Sequence, residues 1–412
     1  MKKTTLANIA LVVVSLIVTL LALEMLIEKT LLARIPVKFH FALPSALAVL
    51  AQSSKAQRLP VDYVALAGDS YAHGKGDWLL QVDPRSNPPF HSAHVLQQLS
   101  GHDVISFGRS GASSARGWVR EPVSKYRYLR DAVDGDLQPP AFILAFFYAG
   151  NDLSDNFLQL RDSFIPEYGA AALHDEAAWD RFFAREIRGN KVGPHGSSSI
   201  NRGWLMTAVF RIVKREISGR DGEAEIEPGE AGAEAGRDDN RVILDGRPTT
   251  IPGGLQSPAM ELDRQQSDLA FLAMAKSLAR LKQAFPTSRV VVVHIPSVIE
   301  VYAPGAEAVS LFDSLPRNGQ YLRQRRSTAD LAARSDEVAA RVAAEAQAQG
   351  LPFIDTRRDL RAAAAGHLLH GPQDWLHFNR LGYETFARAI ACGMVAHGLW
   401  PEHSCPPAST AS

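Results

Sequence analysis

Val61-Asp62-Tyr63-Val64-Ala65-Leu66-Ala67-Gly68-Asp69-Ser70 is the stretch on which the reading of this chain turns. An apolar, β-prone run is cut off by glycine and followed two residues later by a hydroxyl, which places Ser70 in the loop at the carboxyl end of a strand. The triplet Gly68-Asp69-Ser70 says little alone, because at average residue frequencies it turns up by chance in roughly one chain in ten of this length. The rest of the chain supplies the context.

Downstream, short β-rich runs alternate with longer helical patterns. Residues 61–67, 103–107, 142–148, 289–295 and 352–355 read as strands, and 94–99, 118–131, 263–284, 327–348 and 380–397 as the helices between or after them. Such alternation predicts an α/β fold with a five-stranded parallel sheet covered on both faces. One crossover is much too long, since residues 148–289 spend about 140 residues where a few tens suffice. A large insertion after the third strand, residues 153–262, is therefore expected. Its stretch 218–240 is Gly, Ala, Glu and Asp with almost no large apolar residue, which predicts a disordered loop. Val242-Ile243-Leu244-Asp245-Gly246-Arg247 predicts a tight hairpin, because Asp-Gly suits the positive φ angles of a type I′ turn. Between Trp204 and Ile217, apolar Leu205, Val209, Ile212, Val213 and Ile217 interleave with Arg211, Lys214 and Arg215. This pattern reads as a helix packed on the core or as a lid or membrane-facing helix.

Composition narrows the function classes. The 412 residues are 46% hydrophobic and carry 44 basic and 44 acidic side chains, so nothing points to a nucleic-acid surface and a small-molecule, glycan or lipid partner is expected. The N-terminus departs from this neutral average: after Met1-Lys2-Lys3, no charge occurs from Thr4 to Leu23. That is about the length that spans a bilayer core. A cleaved signal peptide would have a shorter apolar region followed by a small-x-small site, whereas Leu23-Glu24-Met25-Leu26-Ile27 continues the apolar pattern. A single-pass anchor through residues 4–27 is expected, with Lys2 and Lys3 inside and the rest of the chain outside the cytoplasm, periplasmic if the source is bacterial. The layout is then an anchor or signal sequence (1–30), a linker (31–60), a domain (61–400) and a tail (401–412). Cys392 and Cys405 are either a disulfide tying the tail to the last helix or two free thiols.

In an open parallel sheet, ligands bind outside the carboxyl ends of the strands. Gly68-Asp69-Ser70, Gly108-Arg109-Ser110-Gly111 and Gly150-Asn151-Asp152 follow the first three strands, and Asp374-Trp375-Leu376-His377 precedes the last helix. Acyl transfer needs a nucleophile, a base, a group that orients the base, and donors for the oxyanion. Ser70, His377 and Asp374 fit the first three roles, and the Ser70 and Gly111 amides with the Asn151 side chain fit the fourth.

On these residues the chain resembles the SGNH, or GDSL-type, hydrolase superfamily. Gly68-Asp69-Ser70 with Gly74 resembles its first block, Gly111 its second, Asn151 its third and Asp374-x-x-His377 its fifth. The resemblance implies a flavodoxin-like α/β/α sandwich and ester hydrolysis or acyl transfer with no metal or other cofactor. Two departures stand out: Ala149 occupies a place where the family has glycine, with Gly150 beside Asn151 instead, and Ser106-Phe107-Gly108 lacks an asparagine found upstream of the second block. The expected activity is a membrane-anchored acyl esterase acting on an envelope glycan or lipid ester. The alternatives are an O-acyltransferase using the same triad and a non-catalytic glycan-binding protein.

Several residues carry plainer readings. Asp69 is expected to brace the turn, and Gly150 and Asp152 to support the third loop. His73 and Asp77 either line the pocket or are solvated. His367 and His370 with Asp374 and His377 could be imagined as a metal cluster, but a base and its carboxylate already account for two of the four, so no metal is expected. His294 reads as a core histidine, Arg109 as half of a surface ion pair, and Trp78, Trp118 and Trp375 as packing residues before sugar platforms.

Overall fold

The computed structural model describes residues 3–35, 37–44, 47–76, 91–133, 136–189, 204–217, 239–315 and 322–406. Five strands form the central sheet: β1 (Val64–Ala67), β2 (Val104–Ser106), β3 (Phe142–Tyr148), β4 (Arg289–Ile295) and β5 (Phe353–Asp355). The longer helices are α1 (Lys3–Leu26), α2 (Ser92–Ser100), α3 (Glu121–Tyr128), α4 (Asp152–Gln159), α5 (Glu176–Gly189), α6 (Trp204–Ile217), α7 (Arg264–Ala284), α8 (Thr328–Ala348), α9 (Arg357–Ala364) and α10 (Arg380–Ala396).

The spatial strand order is β2-β1-β3-β4-β5, and every neighbouring pair is parallel. Because side chains alternate along a strand, the sheet feeds two separate cores. Ala65, Ala67, Ile143, Ala145 and Phe147 meet Trp118, Phe271 and Val338 on one face. Val64, Leu66, Leu144, Phe146 and Tyr148 meet Leu96, Phe386 and Ile390 on the other. All seven residues of central β3 are buried, which explains its unbroken run Phe-Ile-Leu-Ala-Phe-Phe-Tyr. β1 has β2 on one side and β3 on the other, so the order reverses at β1, the kind of position beside which open parallel sheets bind ligands.

The expected strands and helices are present, with shifted ends. β1 starts at Val64 because Asp62 turns into the left-handed region at φ 46° and the Val61 amide donates to Asp103 Oδ2 at 3.1 Å. Asp263 and Ser327, expected as the first residues of α7 and α8, are their N-caps, each accepting hydrogen bonds from first-turn amides. The free edge of β2 is covered by a side chain: Gln52 Nε2 donates to the Ser106 carbonyl at 2.9 Å, and Gln52 Oε1 accepts from the Ser106 amide at 2.7 Å.

Within the long crossover, α4, α5 and α6 precede a hairpin of Asn240–Leu244 and Arg247–Ile251. Asp245 and Gly246 turn it with φ angles of 50° and 70°, as the Asp-Gly pair demanded. Asn240 belongs to the hairpin and not to the acidic loop in which its sequence neighbours placed it; its side chain accepts from the Ser310 amide at 2.6 Å and donates to the Ser310 carbonyl at 3.0 Å. Residues 218–238 of that loop lie outside the described residues.

Among the described residues one helical segment, Ala7–Leu31, is long and apolar enough to cross a bilayer. At the other end of the chain, Cys392 on α10 and Cys405 are joined in a disulfide.

Candidate active site

Ser70 opens a one-turn helix directly after β1, and Asp69 is the cap that shapes it. Asp69 Oδ1 accepts from the Tyr71 amide at 3.0 Å, and Oδ2 accepts from Ser70 Oγ at 3.2 Å. Asp69 is 1% exposed, in keeping with a brace and not a solvent-facing group. Burial pushes its carboxyl above the usual range, while the Tyr71 amide, the His377 ring and Ser70 pull the other way. Gly74 closes the turn at φ 84°, and a Cβ there would fall 1.4 Å from His91 Nε2, so no other residue fits.

His377 lies in the loop before α10. His377 Nδ1 is 2.7 Å from Asp374 Oδ2, while Asp374 Oδ1 accepts from the amides of Leu376 at 2.8 Å and His377 at 3.2 Å. A carboxylate only accepts, so the Nδ1 of a neutral ring carries the proton and Nε2 keeps its lone pair. Burial alone would raise the Asp374 carboxyl; the His377 ring and the two amides outweigh it and hold it below the usual range.

Tyr71 joins these two loops. Its hydroxyl donates to the Leu376 carbonyl at 2.8 Å, and its ring centre lies 5.4 Å from that of His377. The residue after Ser70 therefore touches both the His377 ring and the chain beside it. Tyr383 of α10 adds a second tie through a hydrogen bond to the Lys75 carbonyl.

The remaining two loops follow β2 and β3. After β2, Arg109 N donates to the Gly68 carbonyl at 3.1 Å, and Gly111 takes φ 65° at an exposed position. Ser106 Oγ accepts from the Gly108 amide at 3.1 Å and bonds the Ala72 carbonyl, so a serine holds the loop where the sequence lacked asparagine. After β3, a Cβ on Gly150 would lie 2.3 Å from the Tyr148 ring, which is why glycine stands next to Asn151. Asn151 occupies the N-cap position of α4 but makes no capping bond, and its buried Oδ1 has no hydrogen-bond partner among the described residues. Asp152 is 2% exposed and accepts from the Tyr148 amide at 2.8 Å. Burial, then the nearby Asp69 charge, push its carboxyl well above the usual range.

No protein-family model matches the chain, and a search of curated proteins finds no relative. Among solved structures, an extracellular lipase from Streptomyces rimosus is similar at 15% identity with a TM-score of 0.35, covering 80% of this chain and 98% of that one. A second solved structure is similar at 13% identity and a TM-score of 0.32, covering 81% of this chain and 96% of its own. At these scores the likeness does not establish a shared fold.

Ser70, Asp69, Gly74, Gly111, Gly150, Asn151, Asp152, Asp374 and His377 thus lie on four loops, three of them following β1, β2 and β3 and the fourth preceding α10. Other candidates serve elsewhere. His294 is in the core, His370 is buried against Tyr302 Oη at 3.0 Å and His367 is exposed. Trp118 is buried and donates to the Phe146 carbonyl at 2.8 Å, and Trp375 packs on the core at Gly371. Arg109 pairs at 3.2 Å with Glu121, a fully buried carboxylate. His73 is exposed, while Asp77 and Trp78 lie outside the described residues.

Sequence reasoning missed the residues that hold these loops. Lys125 is buried and donates to the carbonyls of Phe107 at 2.8 Å and Gly108 at 3.0 Å, backed by Glu121 at 3.5 Å. Asn156 clamps Ser114 by two bonds of 2.8 and 2.9 Å. The i, i+4 spacing of Glu121 and Lys125 was visible, but a surface pair has the same spacing. The placement of Tyr71 directly after Ser70 was the other available signal.

Proposed function

We propose that this chain is a membrane-anchored serine esterase of the SGNH, or GDSL-type, superfamily, acting on an envelope glycan or lipid ester. The observation that carries the reading is the Asp374–His377 pair at 2.7 Å, tied to the Ser70 turn through Tyr71. The spatial order 2-1-3-4-5 supports a flavodoxin-like α/β/α sandwich, with the site at its switch point.

In this mechanism Ser70 Oγ turns from Asp69 toward His377 and attacks the ester carbonyl while Nε2 takes its proton. The new Oγ–C bond leaves a negative oxygen that accepts from the amides of Ser70 and Gly111 and from the Asn151 side-chain amide. Asp374 holds the ring through Nδ1 and stabilises the imidazolium. Collapse breaks the ester C–O bond, and the departing alkoxide takes the proton from Nε2. Water then attacks the acyl-enzyme with His377 again as base, releasing the acid and restoring Ser70.

The Cys392–Cys405 disulfide supports an oxidising compartment, and with the segment Ala7–Leu31 it favours a catalytic domain outside the cytoplasm. A fluorophosphonate probe tests the nucleophile: the wild-type protein is expected to label and Ser70→Ala to stay unlabelled. Equal labelling of the two proteins overturns the assignment.

A further inference from the structure

Helix α6, Trp204–Ile217, has two apolar faces. Trp204 and Ala208 are buried, and Leu205 and Ile212 pack beside them on the core. On the opposite side Met206, Val209, Phe210, Val213 and Ile217 remain 52, 47, 67, 46 and 80% exposed. Their spacing of three and four residues gathers them into one stripe about 100° wide. Arg211 and Lys214 lie on one flank between the two faces, both exposed. A helix that only packed on the core would carry polar residues where this stripe stands.

The position of α6 says what covers the stripe. Its second residue donates through the Leu205 amide to Glu24 Oε1 at 2.9 Å, and Arg211 Nη1 donates to the Ala42 carbonyl at 3.3 Å. Glu24 is 1% exposed and is the first charged residue after the run Thr4 to Leu23. The twenty uncharged residues Thr4 to Leu23 at 1.5 Å each span about 30 Å, the thickness of a hydrocarbon core, which puts Glu24 at its edge. α6 therefore starts at the depth where lipid tails meet headgroups. The carboxylate at the first turn also complements the helix dipole there.

We propose that α6 is an interfacial helix lying on the bilayer beside the anchor, with Met206, Val209, Phe210, Val213 and Ile217 in the acyl boundary and Arg211 and Lys214 toward lipid phosphates. This rests on the anchor reading above. Met25 and Leu26, 45 and 55% exposed, directly follow the Glu24 that bonds the first turn of α6, so one lipid phase covering the exposed apolar residues of α1 also covers the stripe. The chain is then held by two elements, a span and a surface helix, which limits how the domain swings on its anchor.

The test uses the full chain in lipid nanodiscs, spin-labelled at Phe210→Cys, Val213→Cys, Lys214→Cys or Leu16→Cys; the native cysteines are paired and do not compete for the label. Collision with oxygen reports lipid, and collision with a water-soluble nickel chelate reports solvent. Labels at 210 and 213 are expected to favour oxygen several-fold over the label at 214, at a shallower depth than 16. If 210 and 213 meet the chelate as freely as 214 while 16 reports lipid, the interfacial helix is overturned and the anchor stands. Chelate access at 16 overturns both, and shielding of 210 from both reagents, as a second protein copy would give, overturns the lipid as occupant.

Discussion

Asn151 stands where a helix cap belongs and does not cap. An asparagine that caps contributes about 1 kcal/mol, and its loss is felt in stability. Here the side chain makes no bond to the first turn of α4, and the proposed mechanism assigns its amide to the oxyanion. Asn151→Ala is therefore expected to leave the urea midpoint nearly unchanged while lowering kcat roughly 10²–10³-fold on an aryl ester. A variant that loses stability and keeps its rate would show the side chain to be a cap after all. Asp69 presents the opposite case, a motif residue whose two oxygens are spent on the Tyr71 amide and the Ser70 hydroxyl.

Among elements, the join between β3 and α4 depends on a buried carboxyl whose pKa is pushed up. Asp152 Oδ2 accepts from the Tyr148 amide, and burial, followed by the nearby Asp69 charge, raises its pKa well above the usual carboxylate range. The folded-state pKa lies above the unfolded one, so the stabilisation is whole at low pH and is lost as pH rises through the folded pKa. Asparagine keeps the acceptor and cannot ionise. Asp152→Asn is expected to gain stability over wild type as pH climbs from about 4 toward 8, by up to about 1.4 kcal/mol per pH unit until the native carboxyl ionises. Parallel urea midpoints across that range would mean that Asp152 is already ionised in the fold. The same join shows why glycine stands at 150: Tyr148 folds its ring against that residue.

For the whole molecule, the two ends of the chain attach the domain in different ways. At the carboxyl end the Cys392–Cys405 bond, 13 residues apart, pins the tail to α10, and Ser404 is buried beside it. A closed loop of that length is worth about 3 kcal/mol in the chain-entropy model. Cys405→Ala is expected to lower stability by up to that amount without changing kcat, read by thermal melting and aryl-ester turnover. A loss of turnover with no change in melting would place the tail at the site. At the amino end α1 and α6 meet at Glu24, a contact between residues 24 and 205 that no local pattern announces.

Local chemistry made much of this legible in advance. The five strands, the helices, the Asp-Gly hairpin and the apolar N-terminal segment depend on periodicity, turn preference and transfer of side chains from water, all of which act over a few residues. The sequence by itself determined these elements and named the groups on four loops. Only the tertiary structure decided that β1 lies between β2 and β3, that Tyr71 bridges Ser70 to the His377 loop, that Lys125 and Gln52 are spent on backbone carbonyls, and that Asn240 joins a strand. Each of these is a contact across a long stretch of chain, chosen by which buried polar group needs a partner, and that need exists only after the two cores have closed.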